Sequence, residues 1–503
     1  AATLLLLPNL ESSGVLWQDE AETALLGQNT LEFGYPKAFD GTFRINPVLP
    51  TGPKDAWAYH SWLPNYLVAG SFWLFGPSTV SARLPFALFG VACVVMAYAL
   101  FKLITQSVPV ARLASLFMLL SIPLTLYFRQ CRYYAPAVFF TLWVLWSYLK
   151  AVGGERSAWK WLAMGLVLLF HSHHGAFVPV FIALALDFIL RKQFQDHRRQ
   201  VFALGAFVFL ATAPWLFILN TGQHLGADVS HHLQFYFRQI NRHAFPTIFL
   251  ILVILFRGIR PILWWKQATL KQQENIKTIL LVIGCTLVFI IAVPWQRHFR
   301  YLVQLLPFFY LLTAICLWRW LKELPVVLVM LCLVLIGSDI IHYSGTYLIG
   351  QLIPSVRQKI EKDHGLVKPL FPLADYAYEL THAYQGPLTA AVAEVVSQKS
   401  EGETLKVPYA DHVFYFYTGL AIEDHRDFEK TSYPNWIIPQ RAWLTQSFFE
   451  SAYFRRIQKR YQAIILQAPD LRWENRPDPN YHKFRTPPIK RRVILYHRKG
   501  RST

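Results

Sequence analysis

Apolar runs bounded by basic residues recur along the first two thirds of the chain. A backbone immersed in lipid must satisfy its own hydrogen bonds, so such runs leave bundled helices as the fold. They place spans near 80–101, 110–128, 133–149, 158–171, 174–190, 200–219, 244–256, 277–295, 301–318 and 324–342. The short run Ala1–Leu7 reads as the outer end of a further helix, giving about eleven crossings, with a cleaved signal peptide as the alternative. Trp62 to Phe75 is too short to cross and is stopped by Gly76-Pro77, so it is expected to lie along the interface.

Composition agrees, because 54% apolar and 16% aromatic residues exceed what a soluble surface accommodates. From about residue 345 the sequence turns to mixed polarity. The expected organisation is a polytopic α-helical membrane domain over 1–343, with outer loops at 9–79 and 220–243, followed by a soluble α/β domain over 344–503. Leu388 to Ser397 patterns as a helix, while Leu405 to Tyr409, Tyr461 to Leu466 and Arg492 to Tyr496 pattern as strands. No nucleophile elbow, phosphate loop or redox pair occurs in that part.

The formal charge of +19 sits largely in short loops between apolar runs, where topology explains it and nucleic-acid binding is not implied. The five cysteines lie in or beside apolar segments, with neither a disulfide framework nor zinc-finger spacing. Alternate loops carry Lys102 and Arg112, then Lys150, Arg156 and Lys160, then Arg191 to Arg199, then Arg257 to Lys277, then Arg319 and Lys322. These are the cytoplasmic loops by the positive-inside rule. The opposite loops hold Asp19-Glu20, Arg129 to Arg132, His171 to His174, residues 220–243 and Arg297 to Arg300, gathering the unusual polar groups on one outer face.

Two carboxylates, Asp19 and Glu20, follow the first helix at an expected helix start. The helix dipole accounts for Glu20 or Glu22, while Asp19 is the better functional candidate, with N-capping as its alternative role. Outer-face arginines suit phosphate through their planar fork, or anchor to lipid headgroups. His171 and His173 present two imidazoles that suit a divalent metal, with Asp19 or Asp40 as a carboxylate partner; hydrogen bonding is the plainer role. Residues 220–243 read as a lid or as an amphipathic interfacial helix. The turn-rich Glu474 to His482 is a candidate acceptor-facing loop, or only a connection.

The segment Trp17-Gln18-Asp19-Glu20-Ala21-Glu22-Thr23-Ala24-Leu25-Leu26-Gly27, with Glu32-Phe33-Gly34-Tyr35-Pro36 and Asp40-Gly41, resembles the first outer loop of the GT-C superfamily. The nearest likeness is to bacterial relatives of protein O-mannosyltransferases and of the lipid A aminoarabinose transferase. Tyr59-His60-Ser61-Trp62-Leu63 resembles that family's entry to the in-plane helix, with Ser61 and Trp62 replacing two prolines. Arg83-Leu84-Pro85, Phe128 to Tyr134 and Arg297 to Leu302 follow in the family's order.

The resemblance implies an inverting glycosyltransferase of the bacterial inner membrane, moving a sugar from a polyprenyl-phosphate donor to a periplasmic protein, lipid or glycan. It places catalysis on Asp19, with Glu20 beside it. Donor phosphate binding falls on Arg300 and Arg132, then Arg297, Arg129 and Tyr301, and the substrate pocket on His60, Tyr133, His173, His174 and Asp40. A non-catalytic subunit of a membrane complex and a lipid or solute transporter are the competing readings. The transporter fits less well, since the polar groups gather at one face rather than along a path.

Overall fold

The computed structural model describes residues 2–192, 194–217, 228–245, 268–294, 296–339, 341–342, 371–423 and 432–498. In chain order its helices are α1 (Ala2–Leu6), α2 (Gln18–Phe33), α3 (Leu63–Phe75), α4 (Thr79–Thr105), α5 (Val108–Leu119), α6 (Ile122–Phe128) and α7 (Tyr134–Val152). There follow α8 (Ala158–Ser172), α9 (His174–Leu190), α10 (Phe194–Leu216), α11 (Val229–His243), α12 (Leu270–Ala292), α13 (Leu306–Leu321) and α14 (Pro325–Gly337). Packing groups the chain into two compact units. One gathers Ala1–Leu7, Phe86–Arg129 and Tyr133–Ala377; the other gathers Pro8–Pro85, Gln130–Arg132 and Tyr378–Thr503. The domain boundary expected at 343/344 lies outside the described residues, as does most of the span expected at 244–256.

Among the described residues four helices are long and apolar enough to cross a membrane: Thr79–Thr105, Tyr134–Val152, Leu270–Ala292 and Phe299–Leu321. The span expected as one helix over 110–128 is instead α5 and α6, bent by 63° at their junction. Pro123 cannot donate into a continuous ladder, and Ser121 caps the new start by accepting the Leu124 N–H at 3.3 Å. The run expected to begin at 301 opens with a 3-10 turn, Phe299–Leu305, before Pro307 starts α13.

Within this helical unit α7 packs on α8, α9 on α12 and α5 on α13. Asp187 accepts from Tyr148 Oη at 2.7 Å and Arg191 Nε at 2.7 Å, while Arg191 also reaches Glu274 at 3.0 Å and Thr278 at 2.8 Å. That fully partnered network ties α7, α9 and α12 together, which is how ionisable groups are tolerated at the end of a span.

In the other unit α2 packs against α3, because Gly27 removes the side chain that would meet Val68: a Cβ there would lie 2.5 Å from Val68 Cγ1. α3 has only thirteen residues, short of a crossing as expected, and leaves Trp73, Leu74 and Phe75 exposed. Leu25, Leu26, Phe43, Ile45 and Trp57 form a core against Tyr415, Phe416 and Ile422.

The C-terminal α/β region supplies α15 (Pro372–Thr381), α16 (Pro387–Gln398), β1 (Thr404–Lys406), α17 (Asp411–Thr418), β2 (Ala421–Ile422) and β3 (Trp436–Ile437). It closes with α18 (Gln446–Glu450), α19 (Ala452–Arg460), β4 (Tyr461–Pro469) and β5 (Arg492–Arg498). Sheet order is β2-β1-β3-β5-β4, parallel across β2, β1 and β3 and antiparallel from β3 through β5 to β4. The helix and the strands expected at 461–466 and 492–496 are present, whereas the strand expected over Leu405 to Tyr409 stops at Lys406, ahead of Pro408. The two-residue strands β2 and β3 are additions too short to show a period.

Candidate active site

The start of α2 gathers three carboxylates, and their surroundings differ sharply. Glu20 closes a capping interaction by accepting the Trp17 N–H at 3.2 Å. Arg83 grips it as a fork, Nε to Oε1 at 2.9 Å and Nη2 to Oε2 at 2.7 Å, and the Cys131 N–H adds a bond at 2.9 Å. Both partners are fully buried. The remaining Arg83 donors meet the carbonyls of Leu10 at 2.7 Å, Gly14 at 3.1 Å and Val15 at 3.3 Å. Burying this ion pair is tolerable only with its hydrogen-bonding capacity filled, and here it is.

Glu22 accepts Arg132 Nη1 at 2.9 Å and the side-chain amide of Asn46. The same Nη1 reaches the Asp19 carbonyl at 2.9 Å and Thr23 Oγ1 at 3.0 Å. Arg132 Nη2 lies 3.5 Å from His60 Nε2 and 3.7 Å from Asp19 Oδ2. The Asp19 side chain is 28% exposed, against 0% for Glu20 and 8% for Glu22. Of the three acids, only Asp19 combines a cationic neighbour with access from outside.

This unit therefore brings together Asp19, Glu20, Arg132 and His60 of the residues singled out in the sequence. Glu20, expected beside the reacting centre, is enclosed by protein donors. Arg132, expected on a phosphate, is engaged with Asp19, Glu22 and Thr23. Asp40, expected in the substrate pocket, folds its own loop: it accepts the N–H groups of Thr42 at 2.7 Å and Phe43 at 2.8 Å and the Tyr415 hydroxyl at 2.8 Å.

Sequence reasoning missed the C-terminal residues packed around this acidic end. Gln18 donates to Asp411 at 2.6 Å and lies 2.9 Å from His412 Nδ1. Tyr409 donates to Glu474, which also takes Arg472 at 3.0 Å. Burial, then the charges of Glu474 and Asp19, push the Tyr409 hydroxyl well above the usual phenol range and keep it a donor. Arg476 stacks over the Trp17 ring at 4.9 Å, and the Gln130 amide bonds the Pro477 carbonyl. The turn-rich segment 474–482 was the one signal available; nothing local marks Tyr409 or His412.

The remaining candidates belong to the helical unit. Arg129 donates to the Tyr376 hydroxyl and lies over its ring at 5.5 Å. Tyr133 and His173 stack at 4.1 Å and 5°, with the His174 ring 5.8 Å beyond. His171 bonds the Ala211 carbonyl at 3.2 Å and meets Trp215 edge-on. Among the described residues no three His, Cys, Asp or Glu are placed to hold a metal ion. Arg300 lies over Tyr301 at 5.5 Å on the 3-10 turn, and Arg297 is exposed beside it. Of the expected lid, residues 220–227 lie outside the described residues, and the rest is α11, started by Asp228 accepting the His231 N–H at 3.2 Å.

The fold is that of ArnT from Cupriavidus metallidurans. The structure of ArnT from Cupriavidus metallidurans bound to undecaprenyl phosphate matches with a TM-score of 0.60 and 14% identity, over 98% of this chain and 96% of that one. The apo ArnT structure from the same organism matches at 0.57, with the same identity and coverage. The family model described as dolichyl-phosphate-mannose-protein mannosyltransferase matches residues 59–218. Among curated proteins no sequence match is found. The family match is confined to residues 59–218, which contain His60, Arg83 and Arg132, whereas the shared fold extends over 98% of the chain. With four helices long and apolar enough to cross a membrane among the described residues, the chain is a multi-pass membrane protein.

Proposed function

We propose that this protein is an inverting glycosyltransferase that moves a sugar from a polyprenyl-phosphate carrier to a periplasmic acceptor, with Asp19 as general base. The observation that carries the reading is the selective exposure of Asp19 next to two buried acids, Glu20 and Glu22, that are held by arginines. Asp19 takes the proton of the acceptor's nucleophile, which attacks the anomeric carbon from the face opposite the phosphate. The anomeric C–O bond breaks, the phosphate keeps the electron pair, and configuration inverts.

Cations are needed where that negative charge develops. Arg300 is assigned to the donor phosphate, with Arg297 and Tyr301 beside it in sequence. Arg132 holds Asp19 through its backbone carbonyl, and Glu20 with Arg83 fixes the loop that presents it. His60 and the Tyr133–His173 stack are assigned to substrate contacts. The reading includes the eleven crossings and the bacterial inner membrane, with Asp19 and the C-terminal region on the periplasmic side.

Binding of undecaprenyl phosphate to the purified protein tests the donor assignment. Arg300→Ala is expected to weaken it by about 10- to 100-fold, the value of one charged hydrogen bond to phosphate. Unchanged affinity would remove Arg300 from the donor site.

A further inference from the structure

The helical unit contains a polar cavity that the proposed transfer reaction does not use. The end of α4, the starts of α5 and α12 and the end of α13 enclose about 90 Å³. A single water needs roughly 10–15 Å³ on this measure, so a tetrahedral oxyanion fits. Its floor is apolar and buried, made by Val110, Ile276 and Ile315. Its rim carries the exposed cations Arg319 and Lys322, and among the described lining residues there is no carboxylate.

Two features add to the positive character of the rim. Ser107 stands at the N-cap of α5 without a side-chain cap, which leaves the positive end of that helix at the cavity. The start of α12 is by contrast closed by a capping box, and Gln272 is engaged at both ends, its amide donating to the Thr105 carbonyl at 2.8 Å and its oxygen accepting the Thr269 N–H at 3.1 Å. Lys102, Arg112, Lys271 and Lys277 belong to the adjoining helix ends, the ends that loop charge assigns to the cytoplasm. A free anion needs only such a rim. The apolar floor and the half-buried Trp318 at the same opening suit an amphiphile whose charged head and apolar neck meet at the membrane surface.

We propose that this cavity binds the phosphodiester of an anionic phospholipid of the inner leaflet, its phosphate between Arg319 and Lys322 and its glycerol against Trp318. Basic pockets between helices at the cytoplasmic surface are a recognised way to hold such headgroups. The site is independent of Asp19.

Native mass spectrometry of the delipidated full-length protein in detergent tests it, using phosphatidylglycerol, phosphatidylcholine with the same chains, and inorganic phosphate. Phosphatidylglycerol is expected to bind in preference to phosphatidylcholine. Arg319→Ala with Lys322→Ala is expected to cost about 30-fold in that affinity, roughly fivefold for each cation near a lipid surface. The control pair Arg156→Ala and Lys160→Ala, on another loop of the same side, should leave it unchanged. If the double variant fails to fold, Lys322→Gln alone should still lose about fivefold. Equal binding of the two lipids, or wild-type affinity in the variants, would overturn the proposal. Displacement of phosphatidylglycerol by equimolar inorganic phosphate would assign the cavity to a soluble anion and overturn the lipid assignment.

Discussion

At the scale of single residues, the start of α2 separates structural acid from available acid within four positions. Glu20 is closed in by the Arg83 fork and two backbone N–H groups, whereas Asp19 retains exposure. Arg83→Ala leaves Glu20 buried without its counter-ion, and removing one partner of a buried pair typically costs about 3–5 kcal/mol. The expected outcome is a large loss of thermal stability, read by the unfolding midpoint in detergent. Asp19→Asn should leave that midpoint nearly unchanged, and equal destabilisation by both substitutions would contradict this division of labour. The sequence showed the adjacent carboxylates and the order of the motifs around them. It did not show which acid kept its exposure, because that depends on Arg83, Cys131 and Arg132, from segments distant in the chain.

At the scale of elements, apolar runs revealed where helices lie but not where they break. The single run over 110–128 became two helices because Ser121 and Pro123 together restart the backbone, a local effect that hydropathy averages away. The α2–α3 contact was equally hidden, since Gly27 acts by what it lacks. Gly27→Leu drives a side chain into Val68 and is expected to cost roughly 1–3 kcal/mol as the two helices separate. The position of the Asp19 loop should shift with it. A wild-type unfolding midpoint in that variant would show that the close approach of the two helices is not required.

At the scale of the whole molecule, the two compact units cut across the linear order: the first outer loop and the 130–132 turn pack with the C-terminal α/β region rather than with their sequence neighbours. Long-range pairing of this kind leaves no periodic trace. That is why Tyr409 and His412 were illegible beside Asp19 and Glu474 was marked only by its turn-rich segment, while the α/β character of the C-terminal region was readable. The proposed topology predicts that Ser397→Cys, on the C-terminal region, reacts with a membrane-impermeant maleimide in intact spheroplasts, and that Ser157→Cys reacts only after lysis. The reverse pattern would invert the assigned orientation. The central claim, sugar transfer with Asp19 as base, is tested most directly by turnover in proteoliposomes supplied with polyprenyl-phosphate sugars and an envelope extract, following release of polyprenyl phosphate. Wild-type protein is expected to consume at least one donor, and Asp19→Asn to bind that donor normally while losing about 10²- to 10⁴-fold in rate, the contribution of a general base; near-normal turnover in Asp19→Asn would contradict the account.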